Sequence, residues 1–135
     1  MLNLDSHILI SILNGDLSPR EHELVLKNEL IISDVVLWKL AKLIQLGRLD
    51  MDLDGAEFRQ CLRQVSILPI TLEIARTSTQ LDFSSDPADE IIAATSIVEK
   101  IPLLTRDRRI LKSRVVPFAR QLSAISESVS LRTEG

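Results

Sequence analysis

Four short apolar runs punctuate the chain: "MLNLD" (1–5), "ELIIS" (29–33), "ILPI" (67–70) and "IPLLT" (101–105). None alternates apolar with polar residues. A strand with one face in water shows that alternation, whereas uniformly apolar runs suit strands covered on both faces. Longer helical segments separate the runs. Strands alternating with helices in this way favour a parallel sheet with helices packed on both sides. The fold class expected is therefore α/β: a three-layer α/β/α sandwich around a short-stranded, mostly parallel central sheet.

Between the runs, apolar residues fall at helical spacing. "SHILISILNGD" carries Ile8, Leu9, Ile12 and Leu13, with Asn14-Gly15 as its stop. "SPREHELVLKN" opens with Ser18 as N-cap and Pro19 at the first helical position. "DVVLWKLAKLIQLGRL" sets Val36, Leu37, Leu40, Leu43 and Ile44 on one stripe and ends at Gly47. "GAEFRQCLRQVS" is expected as a fourth helix, with Phe58, Leu62 and Val65 inward. "TLEIARTSTQL", capped by Thr71 with Ile74 and Ala75 inward, is a fifth. "DPADEIIAATSIVEK" is a long sixth, and "RDRRIL" a further helical turn. "VVPFA" reads as a last strand, and Pro69 places "ILPI" at an edge. The expected order is β-α-α-β-α-α-β-α-α-β-α-β, within one domain spanning residues 1–122. Residues 123–135 are polar and Ser-rich and read as a mobile tail.

A chain of 135 residues that is 45% hydrophobic can bury one core. Only 3% of it is aromatic, so that core must be built from Leu, Ile, Val and Ala. A net charge of -3 argues against coating nucleic acid by bulk charge and leaves room for a local basic patch. Cys61 has no partner for an internal disulfide and no metal-ligand spacing around it. It reads as a small buried hydrophobe in a reducing compartment. The first residues lack a basic stretch, and Asp5 interrupts their apolar run, so they do not read as a secretory signal. No run reaches the length of an uncharged membrane span. The expectation is a soluble, cytoplasmic protein with no membrane partner.

In open parallel sheets, ligands gather at the carboxyl ends of the strands. Asp5 ends the first run, Asp107 lies just beyond the last, and Asp86 and Asp89 open the helix before it. Carboxylates with no His or Cys beside them suit a hard cation such as Mg²⁺ or Mn²⁺. Such an ion can activate water against a phosphodiester. His7 and His22 are the only histidines and suggest no Ser-His-Asp relay, and no GxxxxGK phosphate loop is present. Each acid also has a plainer use. Asp86 precedes Pro87 as an N-cap would, Asp89 stands where a capping-box acid would, and Asp5 and Asp107 each precede a helix. One acid alone is better read as a cap. Together, each at a strand end or helix start, they lean toward a site. Arg106, Arg108, Arg109, Lys112 and Arg114 crowd beside Asp107, and Lys42 and Arg48 lie on the third helix. As a cluster they suit phosphate binding; singly, each suits a solvated helix face.

In "LNLDSHILI", "ISDVVLWKLAKLIQLGRL", "ILPITLEIA" and "SDPADEIIAATSIVEKIPLLTRDRRIL" the chain resembles PIN-domain proteins of the VapC toxin type, over roughly residues 1–118. The pairing of "DPADEIIAAT" with "LLTRDRRI" at this separation is the most specific part, while "LDSH" alone is weak. The resemblance implies an α/β/α sandwich and a metal-dependent ribonuclease with acids around Mg²⁺ or Mn²⁺. By position, Asp5, Asp89 and Asp107 match the first, third and fourth acids. Asp86 matches an accessory acid, Thr105 a hydroxyl beside the fourth acid, and Ser33 the polar residue closing the second strand. Arg106, Arg108, Arg109 and Lys112 are the residues expected to steer RNA. A VapB-like antitoxin and a homodimer are the implied partners.

One position departs from that pattern. Where the family pattern "LWEIA" has a glutamate after the tryptophan, this chain has "LWKLA", with Lys39 following Trp38. An ammonium among Asp5, Asp89 and Asp107 competes with a cation and offsets their mutual repulsion. The expectation is that the fold persists and metal binding is weakened. Lys39 is open to three explanations: a degenerate relative, a lysine that contacts RNA phosphate while three acids hold one metal, or a detoxifying change. Its plain alternative is a surface lysine facing water. Asp34 is too far along the helix to replace the missing acid. Three functions follow: an endoribonuclease, a non-catalytic module binding RNA or a partner protein, and an unrelated α/β domain whose acids are caps.

Overall fold

The computed structural model describes residues 1–119, so the expected domain end at 122 and the tail 123–135 lie outside the described residues. Four parallel strands, β1 (Leu2–Leu4), β2 (Leu30–Ser33), β3 (Val65–Leu68) and β4 (Leu103–Leu104), form one sheet in the order β3-β2-β1-β4. Among the described residues seven helices accompany them: α1 (Ser6–Asn14), α2 (Pro19–Lys27), α3 (Val35–Gln45), α4 (Ala56–Arg63), α5 (Leu72–Thr77), α6 (Pro87–Glu99) and α7 (Arg108–Leu111). This is the expected α/β class, with each strand at one of the four apolar runs.

The strand order decides where a site can form. The chain lays β2 and then β3 to one side of β1, and returns to place β4 on the other. A crevice therefore opens beyond the carboxyl ends of β1 and β4, the usual ligand position of such sheets. Register aligns its walls, because Asn3 pairs with Leu103 and Leu4 with Leu104, which brings Asp5 level with Thr105. The core behind it is aliphatic. Leu2, Leu4, Ile8, Leu9, Ile32, Leu40, Ile92, Leu103 and Ile110 are fully or nearly fully buried, each contributing roughly 1.5–3 kcal/mol of burial.

Local signals set most helix ends. Ser18 and Glu21 form a capping box on α2, with Pro19 in its first turn. Gly15 ends α1 at φ 71°, a conformation costly for residues with a Cβ. Thr71 accepts from the Ile74 N–H to cap α5. Four expectations need correction. Ala75 is exposed rather than inward, and Ile74 is the buried residue of α5. The fourth helix stops at Arg63, and Val65 belongs to β3, where pairing with β2 outweighs helical spacing. The fifth helix stops at Thr77, because the Ser78 and Thr79 hydroxyls donate to the carbonyls of Ala75 and Arg76 and compete with helical bonding. "VVPFA" adds only a single parallel bridge, Leu103 to Phe118, since Pro117 has no N–H with which to extend a ladder. The edge position of β3, signalled by Pro69, is as expected. Cys61 is half-buried and packs against the core. No described helix is long and apolar enough to cross a membrane.

Candidate functional site

Asp5 leaves β1 at the crevice and is 1% exposed. Its Oδ1 accepts from the Ser6 N–H at 2.8 Å, capping α1, and its Oδ2 accepts from the Thr105 hydroxyl at 2.6 Å. Thr105 Oγ1 in turn accepts from the Asp107 N–H at 3.0 Å. One hydroxyl thus joins the ends of β1 and β4 and sets the loop that carries Asp107. Burial pushes the Asp5 carboxyl above its ordinary pKa. The Thr105 bond pulls it down, the Asp89 charge pushes it up, and Lys39 and the Ser6 N–H pull it down again.

Asp89, 5% exposed, enters from the first turn of α6. Sequence reasoning missed what holds that helix in place. Asn3, buried in β1, donates from Nδ2 to the Ile92 carbonyl at 3.1 Å and to Ser96 Oγ at 2.9 Å. A polar residue inside an otherwise apolar strand was the available signal. Ser85 also supports the site, its hydroxyl donating to Asp89 Oδ2 at 3.3 Å; nothing in its spacing announced this.

Lys39 is the centre of the arrangement. It is 8% exposed, and its Nζ donates to Asp89 Oδ1 as a buried ion pair. The surface-lysine alternative is therefore excluded. Helical geometry explains the contrast with its neighbour. Successive residues on a helix point about 100° apart, so Trp38 faces out while Lys39 faces the acids.

The other expected residues divide. Asp107 is half-buried, and its Oδ1 caps α7 through the N–H groups of Arg109 (2.8 Å) and Ile110 (3.4 Å). Asp86 is exposed and occupies the N-cap position of α6 without a side-chain cap bond, contrary to its expected role as a cap. Ser33 is buried, its hydroxyl accepting from the Val35 N–H at 3.2 Å. Arg106 turns away from the crevice to pair with Glu21 on α2 at 2.7 and 2.8 Å. Arg108, Arg109 and Lys112 stand exposed on and after α7.

A divalent cation does not fit this donor set as it stands. An ammonium already neutralises Asp89 beside Asp5, and the Asp107 carboxylate caps a helix. Among the described residues no group of three or more His, Cys, Asp or Glu is placed to hold a metal ion.

A family model described as "PIN domain" matches residues 3–115. No curated protein matches the sequence significantly. Among solved structures, VapBC2 from Rickettsia felis bound to a promoter DNA fragment is similar with a TM-score of 0.64 at 17% identity, over 87% of this chain and 97% of that one. FitAcB from Neisseria gonorrhoeae matches with a TM-score of 0.62 at 18% identity, over 90% and 99%. A toxin-antitoxin complex from Klebsiella pneumoniae matches with a TM-score of 0.61 at 21% identity, over 83% and 91%. At these identities the likeness is one of fold.

Proposed function

The chain belongs to the PIN-domain family, and from that premise we propose that it is a VapC-type toxin whose endoribonuclease site is held weak or silent by its own Lys39. PIN domains are generally nucleases that use divalent metals, which supports the nuclease ancestry. The single observation carrying the proposal is the buried Lys39–Asp89 ion pair beside Asp5. It places a fixed positive charge among the acids that the family resemblance assigns to Mg²⁺ or Mn²⁺. The substrate class is RNA, approached over Arg108, Arg109 and Lys112. The partner is a VapB-like antitoxin, as in the similar VapBC complex, and the protein assembles as a homodimer in the cytoplasm.

A labelled RNA pool incubated with the chain and with Lys39→Glu, each in Mn²⁺, Mg²⁺ or EDTA, tests this. The expected outcome is metal-dependent cutting by Lys39→Glu, with at least tenfold less by the unaltered chain. Equal cutting by both would show that Lys39 does not restrain the site. Cutting by neither would favour a second reading, a PIN-like module that binds RNA or protein without cleaving, which the same ion pair also supports.

A further inference from the structure

Asn3 is fully buried in β1, between two leucines. Its Nδ2 donates twice to α6, to the Ile92 carbonyl at 3.1 Å and to Ser96 Oγ at 2.9 Å. Its Oδ1 is buried with no hydrogen-bond partner among the described residues. A buried acceptor with nothing to accept is destabilising, and a leucine at this position would bury none. Stability alone therefore does not account for an asparagine here. Its place behind the acids does. Side chains two residues apart along a strand share a face, so Asn3 stands one step deeper than Asp5 on the same side of the sheet. Asp89, Ile92 and Ser96 fall at i, i+3 and i+7 and share one stripe of α6. The strand runs toward the crevice and the helix runs away from it. Two strand residues advance roughly 6.6 Å. Three helix residues advance roughly 4.5 Å, and the carbonyl of the third points further along the axis. The Asn3 amide therefore meets its acceptor when Asp89 stands level with Asp5.

We propose that Asn3 is a positioning residue of this site: its amide fixes how far α6 advances along β1, and so keeps Asp89 beside Asp5 and within reach of the Lys39 ammonium. The proposal rests on the reading of those three residues as one site and adds what sets its spacing. Hydrophobic burial is non-directional and does not choose an axial position. The buried apolar residues of α6 are Ala88, Ala93 and Ala94 besides Ile92. Small side chains leave shallow ridges, which do little to stop a helix sliding on its neighbours. A hydrogen bond has a narrow range of length and angle. Two of them from one planar amide pin α6 along its axis as well as against the sheet. The other contacts of Asp89 cannot do this. Ser85 reaches it only at 3.3 Å from the loop before the helix, and the Lys39 ammonium rides on a flexible four-carbon stem that follows the carboxylate. Without the Asn3 amide, α6 is free to shift by a fraction of a turn and carry Asp89 with it.

NMR of the lysine ammonium groups in the full ¹⁵N-labelled chain, in EDTA and without RNA, reads the Lys39–Asp89 pair directly. Exposed ammonium protons exchange with water too fast to be seen, whereas a buried, hydrogen-bonded ammonium is protected. The Lys39 signal is identified by its loss in Lys39→Arg. Asn3→Leu removes the amide at nearly constant volume. It is expected to speed exchange of the Lys39 ammonium protons about tenfold, the shift in population that loss of a hydrogen bond produces. Backbone amide exchange in β2 and the urea midpoint are expected to hold or improve. A lowered midpoint with unchanged ammonium exchange overturns the proposal, because it would make Asn3 a tether of the fold alone. So does a Lys39 signal that is missing from the unaltered chain at pH 6 in the cold, since the pair would then not be held. Ser96→Ala, a change that favours helix and removes one of the two acceptors, is expected to speed the ammonium exchange by a smaller factor. If Asn3→Leu does not fold, Ser96→Ala decides, and unchanged exchange there overturns the proposal. Because the measurement needs neither metal nor cleavage, its failure is separate from failure of the RNA-cutting test.

Discussion

Lys39 surrenders most of its hydration to lie against Asp89, and the pair is favourable only while both charges are present. Removing the ammonium would leave two buried carboxylates, Asp5 and Asp89, facing each other without a cation. Lys39→Ala is therefore expected to lower the free energy of unfolding by about 3–5 kcal/mol, read from urea denaturation at pH 7. An unchanged midpoint would mean that water already screens the pair. The position of Lys39 was legible in the sequence as a break in a family pattern. Its partner was not, because positions 39 and 89 meet only when α3 and α6 are packed. Asp107 carries the opposite lesson: its cap role was visible from its place before a helical turn, and the structure uses it so.

At the level of elements, α6 carries Asp89 at its start and a strained residue at its end. Lys100 closes the helix in the left-handed region at φ 57°, which costs a residue with a Cβ roughly 1–2 kcal/mol. Glycine pays no such penalty but loses more chain entropy on folding. Lys100→Gly is expected to raise stability by about 0.5–1 kcal/mol, measured as an upward shift of the thermal midpoint; a downward shift would show that the lysine side chain supports the turn. Helix starts were well announced by Ser18-Pro19 and Thr71, since caps act within one turn. The boundary between α4 and β3 was not, because Val65 fits the helical stripe and only pairing with β2 places it in a strand.

Across the molecule, the loop after β4 is fastened to α2 by Arg106 and Glu21. The Arg106 hydrogen bonds and charge hold the Glu21 carboxyl at about 2, against an ordinary 4.5. A depressed carboxyl stabilises the fold above its unfolded value and loses that effect as pH falls toward its folded value. The contribution is therefore full above pH 4.5 and fades toward pH 2. Arg106→Ala is expected to cost about 1 kcal/mol at pH 7, a size bounded by the exposure of Arg106. The difference from the unaltered chain should shrink below pH 4 in urea titrations; a difference that persists at pH 2.5 would assign the effect to packing.

The amino-acid pattern alone determined the α/β class, the approximate placement of four strands and the residues that end most helices. Those are consequences of periodicity and capping, which act over a few neighbouring residues. It also singled out Asp5 and Asp89 as residues of interest, to which the family resemblance added Thr105 and Lys39. Strand order was beyond it, and strand order puts β4 beside β1 and so Thr105 against Asp5. The burial of Lys39, the tether from Asn3 to α6 and the turning of Arg106 toward Glu21 likewise depend on residues dozens of positions apart. Such contacts arise when helices pack on a sheet, and no local rule of spacing encodes them.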